Sequence, residues 1–184
     1  QRQLPWNSSQ LRQALTKHRV KPAVQAIVDL QSGQVIADEA LARIETPTGD
    51  IVEAQDFVDM AEGLGLMAEI DRQVIGEVMQ RCVARLSDGG SPDFAHFVNV
   101  SPQFLARRDL VEEMLGNAMS LCQSCGTTFG PVKPIVLELT ERQHIVSLEK
   151  LRTDLQRTGN DFQHDHSACA CGTGLDGTEE RHRS

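Results

Sequence analysis

Three short apolar runs in this chain each end in a side chain able to bind a hard metal ion: Val35-Ile36-Ala37-Asp38-Glu39, Phe97-Val98-Asn99 and Ile135-Val136-Leu137-Glu138. Runs of this length read as buried strands, and oxygen ligands collected at the same ends of neighbouring parallel strands let an α/β protein build a Mg²⁺ or Mn²⁺ site. The pattern restricts the fold, because the three runs must lie side by side and point the same way for their donors to meet.

The segments between the runs supply what such a sheet needs. Ser8-Ser9 can cap a helix over residues 10–18. Residues 24–30 and 34–41 read as strands joined by the turn Gln31-Ser32-Gly33, a candidate antiparallel hairpin. After a loop over 45–50, Phe57, Met60, Ala61 and Leu64 share one face of a helix over 56–64. A longer helix over 67–86 carries the stripe Ile70, Val74, Val78 and Cys82. A strand over 94–100 leads into Ser101-Pro102, a favourable helix start because Ser can cap and Pro suits the first helical position. That helix runs to Gly126, and a strand over 134–139 and a helix over 146–156 follow. Alternating strands and helices predict right-handed βαβ units on a parallel sheet.

Composition decides between partners. The 184 residues, 40% of them hydrophobic and 24% charged, make one domain or part of one. A formal net charge of −8 argues against binding a nucleic-acid polymer, whose affinity comes largely from Lys and Arg on phosphates. A small anionic ligand remains open, since local cations decide that. No run is long enough to span a bilayer, and Gln1-Arg2-Gln3-Leu4-Pro5-Trp6 lacks the apolar core of a signal peptide. Five scattered cysteines, an odd number, fit a reducing compartment, and cytoplasmic residence is the expectation.

Within the runs, strand alternation puts Glu39, Leu41 and Arg43 on one face, where a carboxylate and a guanidinium can hold a metal and a phosphate together; the plainer alternative is an ion pair at a strand end. Asn99 offers an amide oxygen at a strand terminus, a place equally suited to a turn residue. Glu138 lies among Ile135, Val136, Leu137 and Leu139, and a carboxylate buried there would need a positive partner.

Five segments, Gln25-Ala26-Ile27-Val28-Asp29-Leu30, Glu39-Ala40-Leu41-Ala42-Arg43, Ala61-Glu62-Gly63-Leu64-Gly65-Leu66, Val98-Asn99-Val100-Ser101 and Leu137-Glu138-Leu139-Thr140-Glu141, resemble in order and spacing the successive signatures of the EAL domain of bacterial cyclic di-GMP phosphodiesterases. The resemblance implies a TIM-like (β/α) barrel whose first strand runs antiparallel to the others, agreeing with the hairpin at Gly33. It implies metal-dependent hydrolysis of cyclic di-GMP to pGpG with Mg²⁺ or Mn²⁺ as cofactor. Glu39, Asn99 and Glu138 match the family's metal ligands, with Asp165 in the place of a further one. Gln25, Leu41 and Arg43 match positions that contact the dinucleotide, and Glu141 matches a glutamate that steadies a loop beside the metals and the dimer surface. Two divalent ions roughly 3.5–4 Å apart can activate a water and neutralise charge on both attacking and leaving oxygens.

The sequence also departs from the family. Val24-Gln25-Ala26 stands where Tyr-Gln-Pro is usual, and His164-Asp165-His166-Ser167-Ala168 where two aspartates and Phe-Gly-Thr-Gly are expected. The expected organisation is a linker over 1–9, the N-terminal part of an EAL barrel over 10–159 and an irregular, unrelated or frameshifted tail over 160–184. A full barrel takes about 250 residues, so the barrel expected here is incomplete, its phosphodiesterase activity impaired or absent, and its exposed strand edge a reason to form a homodimer. A GGDEF or sensory domain in a longer parent protein is a further expected partner. Two readings stand beside the enzyme. One is a non-catalytic cyclic di-GMP-binding module for signalling. The other is a zinc-stabilised fragment using His164, His166, Cys169 and Cys171 with Cys122 and Cys125. The string Gly172-Thr173-Gly174-Leu175-Asp176-Gly177 spells a dinucleotide-binding fingerprint, but it lacks the preceding strand and following helix that give the motif its meaning.

Overall fold

A computed structural model describes residues 6–91, 93–125 and 134–139. The chain divides into Gln1–Val146 and Ser147–Ser184, and every described residue belongs to the first unit. Helix α1 spans Ser8–Thr16 and buries Leu11, Ala14 and Leu15. Its cap is Asn7, not Ser8 or Ser9: the Asn7 side chain accepts from Gln10 N at 3.0 Å while Gln10 Oε1 accepts from Asn7 N at 3.0 Å. The reciprocal capping box places the cap one residue before the serines, which become the first two residues of the helix.

Strand β1 is Val20–Val28 and β2 is Val35–Glu45, paired antiparallel. The hairpin expected around Gly33 therefore forms, although β1 starts earlier and ends sooner than residues 24–30. Asp29 stops it, its Oδ1 accepting from Gln31 N, Ser32 N and Ser32 Oγ at 3.2, 2.7 and 2.7 Å. Gly33 follows with φ of 70°, a conformation glycine adopts without strain. Pro22 sits in β1, which pairs only with β2 among the described residues, and a strand paired on one side is where a proline is tolerated.

β2 runs through Glu45, and the expected loop over 45–50 leads into a further short strand, β3 (Ile51–Val52), paired with Ile44 and Glu45. A turn of 3₁₀ helix at Ala54–Asp56 leads to α2 (Val58–Gly63). Gly65, at φ of 66°, reverses the chain into α3 (Met67–Ser87). The stripe read from sequence is the buried face of α3: Ile70, Val74, Val78 and Cys82 are all buried, with Ile75 and Met79 beside them.

Strand β4 (Ala95–Val100) pairs parallel with β2, and β5 (Ile135–Leu139) pairs parallel with β4. The sheet order is β1-β2-β4-β5 with β1 antiparallel to its neighbour, the mixed α/β arrangement anticipated. Beyond β4 the single expected helix is two. Ser101 caps the short α4 (Pro102–Leu105), and α5 (Arg108–Cys125) begins after a break held by Arg107, whose Nε and Nη2 donate to Asp109 at 2.9 and 2.6 Å. The helix expected over 146–156 and the tail over 160–184 lie outside the described residues. No helix among the described residues is long and apolar enough to cross a membrane.

Packing follows the strand period. Ala40, Ile44, Val98 and Val100 point to the buried layer that holds α3, and Phe57 and Phe104 fill it, 1% and 0% exposed. Phe104 sits one turn past the end of β4, so its burial seats α4 against the core. We expect Phe104→Ala to lower the unfolding free energy by about 3–5 kcal/mol in urea titration, and a loss under about 1 kcal/mol would contradict that packing.

Candidate functional site

Successive residues of a strand face opposite ways, so the donors on the sheet divide by parity. In β2 the residues Asp38, Ala40 and Ile44 are buried towards the helices, while Glu39, Leu41 and Arg43 lie half-buried on the other face. In β4 His96, Val98 and Val100 are buried, while Phe97 and Asn99 belong to the face of Glu39. Registration decides which donors meet. Glu39 stands beside Phe97, and Asn99 stands beside Glu138. Registered neighbours on adjacent strands are about 4.8 Å apart, close enough for their side chains to share one ion. The Asn99 amide crosses diagonally to β2, Nδ2 donating to Glu39 Oε1 at 2.8 Å.

Three adjacent strands thus present Glu39, Asn99 and Glu138 on one face, Asn99 and Glu138 each one residue from the carboxyl end of its strand and Glu39 within the longer β2, which runs on to Glu45. The carboxyl ends of strands are where open and barrel α/β sheets bind ligands. With its NH₂ group committed to Glu39, the Asn99 amide keeps its oxygen for another partner. Two carboxylates and one amide oxygen suit a hard divalent cation, which takes oxygen ligands and retains water. Among the described residues no group of three or more His, Cys, Asp or Glu gathers at ion-binding distance, so the donor set here depends on the asparagine and on further oxygens.

Two expectations change at this site. Glu138 is exposed, so no buried charge needs compensating and no cation is required opposite it. The ion pair considered for Arg43 exists, but its partner is Glu53, with Nη2 and Oε2 2.7 Å apart, while Nη1 donates to the Ala42 carbonyl at 2.9 Å. Glu39 is left to Asn99. Gln25 registers with Glu39 across the hairpin and Leu41 lies two residues further along β2, so both share the site's face or its border. Glu141 and Asp165 lie outside the described residues, as do His164, His166, Cys169, Cys171 and the side chains of Cys122 and Cys125.

Sequence reasoning missed two buried polar links on the helix side. His96 Nδ1 and Asp38 Oδ1 are 2.6 Å apart, with Arg81 Nε 3.8 Å from Asp38 Oδ2. On α3, Asp71 Oδ2 accepts from Ser101 N at 2.8 Å and from Ser101 Oγ at 2.6 Å. Polar residues inside the apolar stretches 35–39, 67–79 and 95–100 signalled both, but which residue met which depended on a register the sequence does not spell out. Burial pushes the Asp71 carboxyl up to about 6, and the Ser101 hydrogen bonds pull the other way without cancelling it.

With that geometry in place, comparison gives the lineage. The family model described as EAL domain matches residues 8–166. The chain belongs to the EAL domain family. Among structures of EAL proteins, that of the Pseudomonas aeruginosa MucR phosphodiesterase in complex with c-di-GMP is similar with a TM-score of 0.63 and 27% identity, covering 81% of this chain and 57% of that one. The Bacillus subtilis YkuI protein, with an EAL domain and in complex with c-di-GMP and calcium, shares the fold with a TM-score of 0.59 at 23% identity over 81% of this chain and 35% of that one. In sequence, the bifunctional diguanylate cyclase/cyclic di-GMP phosphodiesterase MucR of Pseudomonas aeruginosa is 33% identical over 104 residues, 56% of this chain and 15% of that protein. An uncharacterized protein of Mycobacterium tuberculosis is 28% identical over 137 residues, 71% of this chain and 20% of its own length. The EAL chain described here therefore spans about a fifth or less of these curated relatives.

The raised Asp71 pKa makes a stability prediction with a definite sign. A carboxyl that titrates at about 6 when folded and 3.8 when unfolded binds its proton more tightly in the folded state, so its contribution is most favourable below pH 3.8 and is lost as pH rises to 6. Between pH 4 and pH 6.5 the difference in unfolding free energy between wild type and Asp71→Asn should move by roughly 2 kcal/mol in the variant's favour. Urea midpoints for both proteins across that range provide the check; parallel pH profiles would contradict it.

Proposed function

We propose that this EAL chain carries the N-terminal part of a metal-dependent cyclic di-GMP phosphodiesterase site, with Glu39, Asn99 and Glu138 as ligands for Mg²⁺ or Mn²⁺. The observation that carries the reading is the Asn99 to Glu39 hydrogen bond together with the Asn99 and Glu138 register, which gathers the three oxygen-bearing side chains on neighbouring strands. When bound, divalent ions would supply charge neutralisation at a phosphodiester and lower the pKa of a water. The chain's own residues would do the rest: Gln25 and Leu41 would border the dinucleotide, Arg43 would face a phosphate from a pose held by Glu53, and Asn99 would hold Glu39 in a single rotamer. Glu141 and Asp165 belong to the same proposal through their positions in the family's signatures. Support for the ligand class comes from MucR, whose structure holds c-di-GMP, and from the continuity of the family match through all three candidate ligands.

The same reading extends to the surroundings of the domain. The bifunctional cyclase and phosphodiesterase relative, of which this chain matches 15%, supports a GGDEF or sensory domain in a longer parent protein. A homodimer is part of the proposal, argued from the family and from β1 and β5, each of which pairs on one side only among the described residues, and sedimentation velocity of the full chain tests it.

Purified protein incubated with cyclic di-GMP and Mg²⁺ or Mn²⁺, with products resolved by chromatography, tests the activity. The account expects metal-dependent binding of cyclic di-GMP with impaired turnover to pGpG, and both reduced to the level of buffer alone in Glu39→Ala. Nucleotide binding without pGpG would support a receptor instead, and absence of both binding and turnover would contradict the proposal.

A further inference from the structure

We propose that Asp71 is a positioning residue of the metal site: by holding Ser101 it fixes the carboxyl end of β4 and with it the placement of Asn99 beside Glu39. The inference rests on the reading of Glu39, Asn99 and Glu138 as cation ligands.

Asp71 lies in the buried face of α3, 4% exposed, between Ile70 and Val74. An apolar side chain there would simply extend the core stripe. Instead a carboxylate occupies the position, and among the described residues no cation pairs with it; its partners are the N–H and the hydroxyl of Ser101, itself 3% exposed. A buried carboxylate satisfied only by neutral donors is a poor stabilising element compared with a well-packed hydrocarbon, and its best-attested use is to impose one geometry among several.

The geometry imposed is that of a strand end. At Ser101 the chain leaves β4 and starts α4, where the first amides of the helix lack partners. Ser101 Oγ donates to Asp71 at 2.6 Å and accepts from Phe104 N at 3.2 Å, so one hydroxyl ties the end of β4, the start of α4 and the body of α3 together. Asn99 is two residues upstream, with its amide at 2.8 Å from Glu39. The remaining clamp on α4 acts further on: Gln103 Nε2 donates to the Glu62 carbonyl at 3.1 Å, and Gln103 Oε1 accepts from Met67 N at 3.3 Å. Gln103 secures the helix, and Asp71 secures the residue that ends the strand. A ligand set performs only when its members are held within roughly 0.5 Å of the productive arrangement, and that precision comes from supports of this kind.

The test compares the full chain as wild type, Asp71→Asn, which keeps an acceptor oxygen at the same place, and Asp71→Leu, which removes it. Val74→Ala is the control for a loss of core packing on the same helix. Mn²⁺ affinity is read from the electron paramagnetic resonance signal of the free ion, and amide hydrogen exchange is followed at Ser101 and Phe104. Asp71→Leu should weaken Mn²⁺ binding by about tenfold or more and speed exchange at both amides. Asp71→Asn should stay close to wild type in both measurements, and Val74→Ala should lose stability with Mn²⁺ affinity unchanged. Wild-type affinity in Asp71→Leu, or an equal loss in Val74→Ala, overturns the proposal. Should Asp71→Leu fail to fold, Ser101→Ala takes its place, and unchanged Mn²⁺ affinity there overturns it equally. If wild type takes up no Mn²⁺, the cation reading falls by itself, and the exchange measurement still decides on Asp71: equal protection of Ser101 in wild type and Asp71→Leu overturns it.

Discussion

One hydrogen bond between neighbouring strands, from the Asn99 amide on β4 to the Glu39 carboxylate on β2, depends on a single registration of the sheet, and the candidate site depends on that bond. Side chains alternate faces along a strand, so a slip of one residue between β2 and β4 would send Asn99 into the helix layer and bring Val98 or Val100 out to the ligand face. Registration is set by burial on the opposite side. Ala40, Ile44, Val98 and Val100 reach the core against α3, and a one-residue slip would turn that apolar set out of it. The apolar half of each strand thus chooses where the polar half points.

The layer between sheet and α3 is not wholly apolar. Asp38 with His96 and Asp71 with Ser101 are pairs of buried polar residues, each hydrogen-bonded, and each links segments far apart in sequence. Asp38 and His96 join β2 to β4 near the start of β4, while Asp71 joins α3 to its end. Buried polar pairs contribute little net stability relative to hydrocarbon, but a mispaired alternative would strand an unsatisfied group and is penalised accordingly. Both ends of β4 are therefore specified by hydrogen bonds, and the middle by packing of Val98.

Much of this was legible in the residues. The run ending in Glu39, the run containing Asn99 and the run ending in Glu138 are strands, the hairpin at Gly33 forms, and Ile70, Val74, Val78 and Cys82 line the buried face of α3. Period and turn chemistry carry that information locally. What stayed hidden was set by partners distant in the chain. Arg43 could be placed on the face of Glu39, yet its neighbour is Glu53, delivered by a two-residue strand too short to show a period. Glu138 read as buried because its sequence neighbours are apolar, whereas β5 presents it to solvent. Asn7 outcompeted the serines as a cap because Gln10 completes its capping box, a choice made by geometry. The junction at Asp71 needed knowledge of how α3 lies against β4.

The account stands on Glu39, Asn99 and Glu138 sharing one cation. Anomalous scattering from crystals grown with Mn²⁺ locates that ion without reference to turnover. The account predicts a peak within coordination distance of oxygens from all three side chains, and a Mn²⁺ peak elsewhere with those side chains unliganded would contradict it.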